Sequence, residues 1–179
     1  MIDLEQFRAE KDRFFASHPQ SPLTPEQKRH FRGLSYFPET PALRVQVIVE
    51  ELPHQSTIHM QTTAGSIQVY TRFGRFSFMV NGQNAELTLY VGPHGFFLPF
   101  ADSLAGAETY GAGRYVEPEP LGNSKFLIDF NTAYNPYCAY NDHWVCPLPP
   151  PENRLSVPIC AGEKTFHYET FPHSTARDD

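Results

Sequence analysis

The segment RFSFMVNGQNAELTLYV, residues 75–91, carries the strongest fold signal in the chain. Apolar and polar residues alternate on both sides of Asn81–Gly82, and this dipeptide is the preferred sequence for a two-residue type I′ hairpin turn. With that turn, Phe78 lies opposite Ala85, and the apolar side chains of both strands share one face. A slip of one residue would place apolar side chains opposite polar ones, so the sequence predicts the register as well as the hairpin.

The same period of two continues on both sides of the hairpin. In LRVQVIVEE, one face of the predicted strand carries Leu43, Val45, Val47 and Val49. Further strands are predicted at TIHMQT and SIQVYTR, with a turn at Ala64–Gly65 between them, and at GFFLPF and SKFLIDFN. The strands are short and follow one another closely, which is typical of an antiparallel arrangement.

Two helix starts precede the strands. Asp3 is placed to cap the first helix, which we expect to end before the two prolines of SHPQSP. Thr24, followed by Pro25 and Gln27, has the spacing of a capping box with proline at the first helical position. Gly33 is the expected end of this second helix.

These patterns predict a mainly β protein, either an antiparallel β-barrel or a β-sandwich of six to eight strands, with an N-terminal helical segment. We expect a single domain over residues 1–179, a length that suits one hydrophobic core. It would comprise a helical segment at 1–35, strands at 43–131, and a Pro-rich loop with a final strand at 132–170.

The composition argues against several classes of function. The formal net charge is −6, with 20 acidic and 14 basic residues, which disfavours non-specific binding to nucleic acid or to an anionic membrane. No stretch approaches the roughly 20 apolar residues of a membrane helix, and the N-terminal sequence MIDLEQFRAEKDRFF lacks the apolar core of a signal peptide. We therefore expect a cytoplasmic protein, monomeric or homodimeric, that takes a small-molecule ligand and no cofactor.

Three segments are too irregular in composition to serve packing alone. They are LPFADSLAGAETYGAGRY (98–115), a long loop without helical or strand periodicity, DFNTAYNPYCAYN (129–141) and ENRLSVPICAGEK (152–164). The candidate catalytic residues are Asp102, Glu108, Asp129 and Glu163. The candidate ligand-binding residues are Tyr110, Arg114, Tyr115, Asn131, Tyr134, Asn135, Asn153, Arg154 and Lys164. No metal ligand is assigned.

The chemistry of these residue types leaves two interpretations open. Two carboxylates within reach of each other would serve as general base and acid, or would hold a divalent ion, and Arg114 would clamp an anionic substrate group. Alternatively, Arg114 pairs with Glu108 or Asp129 and only pins the loop. Strand alternation turns Asp129 and Asn131 away from Phe130, toward water or a cavity. The competing interpretation is that these side chains hydrogen-bond the backbone of the Pro-rich loop.

The motifs PFADSLAGAETYGAGRY, DFNTAYNPYCAY, CPLPPPENRL and AGEK occur in this order. Together with the N-terminal SPLTPEQKRHFRGLSYFP, they resemble the bacterial family known as domain of unknown function 1684. The resemblance covers nearly the whole chain. It implies a single β-rich domain and points to these segments as the signature of the family, but it implies no activity.

Two of the three cysteines flank a histidine, as Cys138, His143 and Cys146 with the spacing C-x4-H-x2-C. The thiolates and imidazole are suitable zinc ligands, but the spacing lacks the usual C-x2-C pair. Other interpretations are a Cys138–Cys146 disulfide, a nucleophilic Cys138 with His143 as its base, and two buried cysteines that act as small apolar side chains. The last interpretation is favoured, because the odd number of cysteines suits a reducing compartment.

The prolines of CPLPPPEN cannot enter a helix or a central strand, so residues 147–151 are expected to stiffen this part of the chain. The segment 129–155 would then form one wall of a polar pocket, and residues 101–115 the other wall. The sequence predicts a small-ligand site there. A hydrolase-type enzyme is one hypothesis, and a non-catalytic small-molecule-binding or structural domain is the alternative.

Overall fold

The computed structural model describes residues 3–167, and this part of the chain contains two α-helices and nine β-strands. The helices are α1 (Leu4–Ser17) and α2 (Pro25–His30). The strands are β1 (Arg44–Ile48), β2 (Glu50–Glu51), β3 (Thr57–Gln61), β4 (Ile67–Val80), β5 (Gln83–Gly92), β6 (Gly95–Phe100), β7 (Arg114–Val116), β8 (Glu119–Gly122) and β9 (Lys125–Asp129).

Both helix starts form as the sequence predicts. The Asp3 carboxylate accepts a hydrogen bond from the Gln6 amide at 3.0 Å, and Thr24 and Gln27 form a reciprocal capping box. The expected end of α2 at Gly33 is wrong by three residues. The helix ends at His30 because Phe31 takes an extended backbone conformation.

The strands form two antiparallel sheets. The larger sheet contains β2 and β3, both paired with β4, and continues through β5 and β6 to β7. The smaller sheet has the order β1-β9-β8. The described strands do not close into a barrel, so the sandwich is the correct choice of the two expected architectures.

The hairpin between β4 and β5 has the predicted register. Val80 pairs with Gln83, and Phe78 pairs with Ala85. Asn81 and Gly82 both have positive φ, at 49° and 78°, as a type I′ turn requires. Phe78 then stacks on Phe130, with ring centroids 5.0 Å apart, and this contact joins the inner face of the larger sheet to the end of β9.

The core lies between the two sheets and consists of aliphatic and aromatic side chains from their inner faces. On β9 these are Phe126 and Ile128, while Leu127 and Asp129 point to the outer face. The outward direction predicted for Asp129 is therefore correct. Asn131 instead lies in a 3-10 turn, Phe130–Thr132, which begins where β9 ends.

The final strand expected within residues 132–170 is wrong for the described part of that range, in which no strand forms. Residues 168–170 lie outside the described residues. Among the described residues after Pro158, Glu163 makes an isolated bridge with Tyr36. The carbonyl groups of Ile159, Ala161 and Glu163 accept hydrogen bonds from the buried side chain of Arg114 on β7. None of the described helices has the length and apolarity needed to cross a membrane.

A tight crossing lies next to a bulge in β4, where the register with β5 shifts between Arg72 and Gly74. A Cβ atom on Gly74 would lie 2.5 Å from Val49 Cγ1 and 2.6 Å from the Glu50 carbonyl oxygen. Only glycine allows β2 to approach this closely.

We predict that Gly74→Ala lowers the free energy of unfolding by about 1–3 kcal/mol, because the added methyl group forces the two strands apart. Gly111→Ala is the matched control, since its Cβ would meet no atom nearer than 3.5 Å. The control should stay within about 0.5 kcal/mol of the wild-type protein in urea denaturation. Equal losses for the two variants would contradict this account of Gly74.

Candidate functional site

Arg114 is buried to 1 % exposure at the start of β7. Its guanidinium donates hydrogen bonds to the carbonyl oxygens of Ile159, Ala161 and Glu163, at 2.9 Å for the first and last of these. Asp102 completes the arrangement, because its Oδ2 lies 3.7 Å from Arg114 Nη2 and accepts the Ile159 amide at 2.8 Å. Burial lowers the pKa of Arg114, and the nearby carboxylates of Asp102 and Glu163 oppose this shift.

Arg114 therefore has a structural role, as one of the two hypotheses from the sequence held. Its carboxylate partner, however, is Asp102 rather than Glu108 or Asp129. The second oxygen of Asp102 accepts the Thr109 hydroxyl at 2.7 Å. With both oxygens used in this way, Asp102 holds the loop and the C-terminal segment together. The geometry does not present it to a substrate.

Glu163 is also buried, at 1 % exposure, and its carboxylate joins three parts of the chain. Oε1 forms an ion pair with Lys11 Nζ of α1. Oε2 accepts hydrogen bonds from the backbone amide of Asn135 at 2.9 Å and from the Tyr140 hydroxyl at 2.8 Å. Burial, followed by the charge of Glu163, raises the pKa of Tyr140. Glu163 thus fastens the first helix to the irregular C-terminal half.

The three candidate asparagines bind backbone groups. Asn153, which is fully buried, accepts the Thr88 amide at 2.8 Å and donates to the carbonyl oxygens of Thr88 and Pro99, each at 2.8 Å. Asn131 makes the same kind of two-sided contact with Thr40. Asn135 donates to the Lys164 carbonyl oxygen at 2.9 Å. These contacts agree with the interpretation that the asparagines support irregular backbone.

The remaining candidates lie at separate places. Glu108 and Lys164 form a partly exposed ion pair with a distance of 3.5 Å. Arg154 is exposed. The Tyr115 hydroxyl donates to the Pro147 carbonyl oxygen, and the Tyr110 hydroxyl lies 3.7 Å from the Cys138 sulfur.

The four candidate catalytic carboxylates are consequently not brought together. No hydrogen bond or ion pair within residues 3–167 joins any two of them. In the same residues, no three His, Cys, Asp or Glu side chains are grouped so that they could hold a metal ion. Cys138, His143 and Cys146 therefore do not form such a group. His143 is exposed, and all three cysteines of the chain are free.

A groove of about 1000 Å³ lies between α1 and the outer face of the smaller sheet, and we call it the α1 groove. It is bounded by Phe7, Glu10, Lys11, Phe14, Phe15, Arg44, Glu117, Pro118, Glu119, Pro120, Leu127, Asp129, Thr132, Tyr134 and Tyr137. Of the candidate residues, Asp129 and Tyr134 line it. The expected second wall, residues 101–115, does not.

Apolar and aromatic side chains form the body of the α1 groove, and charged groups surround them. Lys11 is paired with Glu163 and lies over the Tyr134 ring, with Nζ 5.0 Å from the ring centroid. Arg44 is paired with Asp129 at 3.7 Å. Both cations of the groove are therefore already neutralised by carboxylates.

Three other carboxylates of the groove, those of Glu10, Glu117 and Glu119, form no ion pair with any of the described residues. Glu10 accepts a hydrogen bond from the side-chain amide of Gln6 at 2.8 Å. Glu117 accepts the Tyr134 hydroxyl at 2.6 Å. Burial, followed by this hydrogen bond, raises the pKa of Tyr134. The groove thus has an apolar body and an excess of negative charge.

The contribution of α1 to this groove was missed at the sequence level. A signal was present, because Lys11 lies four residues after Phe7 and four before Phe15, on the helix face that carries the apolar side chains. A lysine on such a face indicates a buried anionic partner or a ligand.

Comparison with known proteins gives a family but no function. The family described as Protein of unknown function (DUF1684) matches residues 29–164. The solution NMR structure of an uncharacterized protein from Haloarcula marismortui is similar to this chain, with 38 % identity, a TM-score of 0.68, and coverage of 90 % of this chain and 92 % of that one. No match was found among curated proteins.

We predict that Asn153→Ala destabilises the protein by about 2–4 kcal/mol, because it leaves one buried amide and two buried carbonyl groups without partners. The neighbouring Arg154→Ala removes an exposed side chain and should change the free energy of unfolding by no more than about 0.5 kcal/mol. Urea denaturation of the two variants measures the difference. A small effect of Asn153→Ala would show that the hydrogen bonds of Asn153 to Thr88 and Pro99 contribute little to stability.

Proposed function

We propose that this chain, which belongs to the family Protein of unknown function (DUF1684), is a small-molecule-binding protein whose α1 groove takes an organic cation. The ligand class is a compound with an amine or quaternary ammonium group on an apolar or aromatic body. The proposal makes the protein a binding domain without turnover.

The observation that carries the proposal is the unequal pairing of charges in the groove. Lys11 and Arg44 each have a carboxylate partner. Glu10, Glu117 and Glu119 have no cationic partner among residues 3–167. A bound cation would therefore find acidic side chains that no side-chain ion pair of the described residues uses, while an anion would have to displace an existing ion pair.

The apolar body of the groove supports the same ligand class. Phe7, Phe14 and Tyr137 contribute ring surface to it, while Lys11 already lies over the ring of Tyr134. Aromatic faces attract organic cations through the quadrupole of the ring, by about 0.5–2 kcal/mol for each well-placed contact. The volume of about 1000 Å³ is at the upper end of the range for small-ligand sites.

The hydrolase hypothesis receives less support from the geometry. It requires two carboxylates that share a reacting centre. Asp102 and Glu163 are each occupied by buried contacts with their own chain. Asp129 lies in the α1 groove but accepts the amide of Asn131 at 3.1 Å and pairs with Arg44.

A thermal-shift series with benzyltrimethylammonium, benzenesulfonate and sodium chloride at equal ionic strength tests the proposal. Ligands that bind the native state raise Tm in proportion to the logarithm of their concentration above Kd. We expect the aromatic cation to raise Tm by several degrees at concentrations well above its Kd, while the aromatic anion and the simple salt do not. An equal response to cation and anion, or no response to the cation, would contradict it.

The site of binding is tested by paired substitutions that change the net charge equally. In Glu117→Gln/Glu119→Gln the affinity for benzyltrimethylammonium should fall about tenfold, since each exposed charge contributes up to about 1 kcal/mol. The control Glu50→Gln/Glu86→Gln removes two exposed carboxylates of the larger sheet and should leave Kd within about twofold. Titration calorimetry gives both values. Equal losses in the two variants would show that only the net charge matters.

A further inference from the structure

Cys138 and Cys146 meet where the chain segments around Cys138, Cys146 and Thr63 come together. Cys138 lies half-buried in a 3-10 turn, Tyr137–Ala139. Cys146 is 8 % exposed and its backbone is fastened to the turn between β3 and β4. The Thr63 amide donates to the Cys146 carbonyl oxygen at 3.0 Å, and the Cys146 amide donates to the Thr63 hydroxyl at 3.3 Å.

The two cysteines are in direct contact. The backbone amide of Cys138 donates to the sulfur of Cys146 at 3.4 Å. Because an amide nitrogen is about 1.5 Å from its own Cα, the Cys138 Cα lies within about 5 Å of the Cys146 sulfur. A disulfide places these atoms at a similar separation, so side-chain rotation and a small backbone adjustment suffice to join the sulfurs.

The surroundings of the pair distinguish the two sulfurs. Hydrogen bonds from the Cys146 thiol and from the Tyr110 hydroxyl lower the pKa of Cys138 to about 7, although burial opposes the shift. The same contact with Cys138, together with burial, raises the pKa of Cys146. The charge of Asp142 acts on Tyr110, and the Tyr115 hydroxyl is close enough to interact with both thiols. These contacts thus favour the thiolate at Cys138 over the thiolate at Cys146.

We infer that Cys138 and Cys146 form a reversible redox site, in which a hydroperoxide oxidises Cys138 and Cys146 then closes an intramolecular disulfide. The inference is independent of the proposed cation binding. It rests on the contact between the two sulfur-bearing residues and on the partners that surround them.

Two steps complete the oxidation. The Cys138 thiol first gives its proton to the solvent, and the thiolate attacks the distal oxygen of the hydroperoxide. The O–O bond breaks, and the alkoxide leaves as an alcohol with the proton that Cys138 released. Cys138 then carries a sulfenic acid. The Cys146 sulfur attacks the Cys138 sulfur, the S–O bond breaks, and the hydroxide leaves as water with the proton of the Cys146 thiol. Two thiols and one hydroperoxide have become one disulfide, one alcohol and one water molecule.

Cys160 provides an internal comparison. The residue is exposed, but the partial loss of water around its thiol, together with the charges of Glu108 and Asp102, raises its pKa. Accessibility alone would make Cys160 the most reactive thiol of the chain. The thiolate character of Cys138 predicts the opposite order.

The experiment treats the full chain with one equivalent of hydrogen peroxide at pH 7, alkylates the remaining thiols and maps the peptides without reduction. We expect a single Cys138–Cys146 linkage that dithiothreitol reverses, with Cys160 fully alkylated. Fluorescence of Trp144, two residues from Cys146, should change with formation of the bond and recover on reduction.

Three variants identify the role of each sulfur. Cys146→Ser should stop at a Cys138 sulfenic acid that dimedone traps, Cys138→Ser should show no sulfenic acid at Cys146, and Cys160→Ser should form the linkage as the wild-type chain does. In the wild-type chain, iodoacetamide should alkylate Cys138 at a lower pH than Cys160, because the pKa of Cys138 is lowered and that of Cys160 is raised.

Oxidation that occurs first at Cys160 would overturn the inference. So would accumulation of Cys138 sulfinic acid without a linkage in the wild-type chain, or alkylation of Cys138 that still rises through pH 9. Intermolecular dimers through Cys138 would also overturn it, because they would show that Cys146 is out of reach.

Discussion

The buried charge of Arg114 is the constraint on which the C-terminal half of the structure depends. A guanidinium at 1 % exposure is stable only if several acceptors replace its water. Three of these acceptors are carbonyl oxygens at alternate positions, Ile159, Ala161 and Glu163. The backbone between these positions bends, since Gly162 has a positive φ of 75° and the Ala161 amide donates to the Ile159 carbonyl oxygen. The three carbonyl groups therefore converge on the guanidinium, and this segment remains outside both sheets.

The position of this segment also determines where the N-terminal helix lies. By holding the backbone at Glu163, Arg114 fixes a buried carboxylate that needs its own cation, and Lys11 supplies it. Together with the packing of Phe15 on Tyr140, the ion pair holds α1 over the outer face of the smaller sheet. The α1 groove exists because the helix is held at this place, so the proposed ligand site depends on a contact that begins at β7.

The parts of the structure that the sequence predicts are those determined by neighbours along the chain. The turn at Asn81–Gly82, the caps at Asp3 and Thr24, and the outward direction of Asp129 all follow from a few adjacent residues. The candidate site could not be predicted in the same way. Arg114 and Glu163 are polar residues in irregular segments, which the composition marks as unusual, but their partners lie dozens of residues away. Composition identifies them as special without distinguishing a ligand contact from a buried structural one.

Hydrogen exchange of the backbone amides in the wild-type chain and in Glu163→Gln measures how strongly the Glu163 carboxylate holds α1 in place. The substitution keeps the shape of the side chain and removes the charge that binds Lys11. We expect the amides of α1 to exchange at least tenfold faster in the variant, while those of β4 and β5 keep their protection, because local opening requires less free energy than global unfolding. Unchanged protection of α1, or a loss shared equally by the helix and the hairpin, would contradict the account.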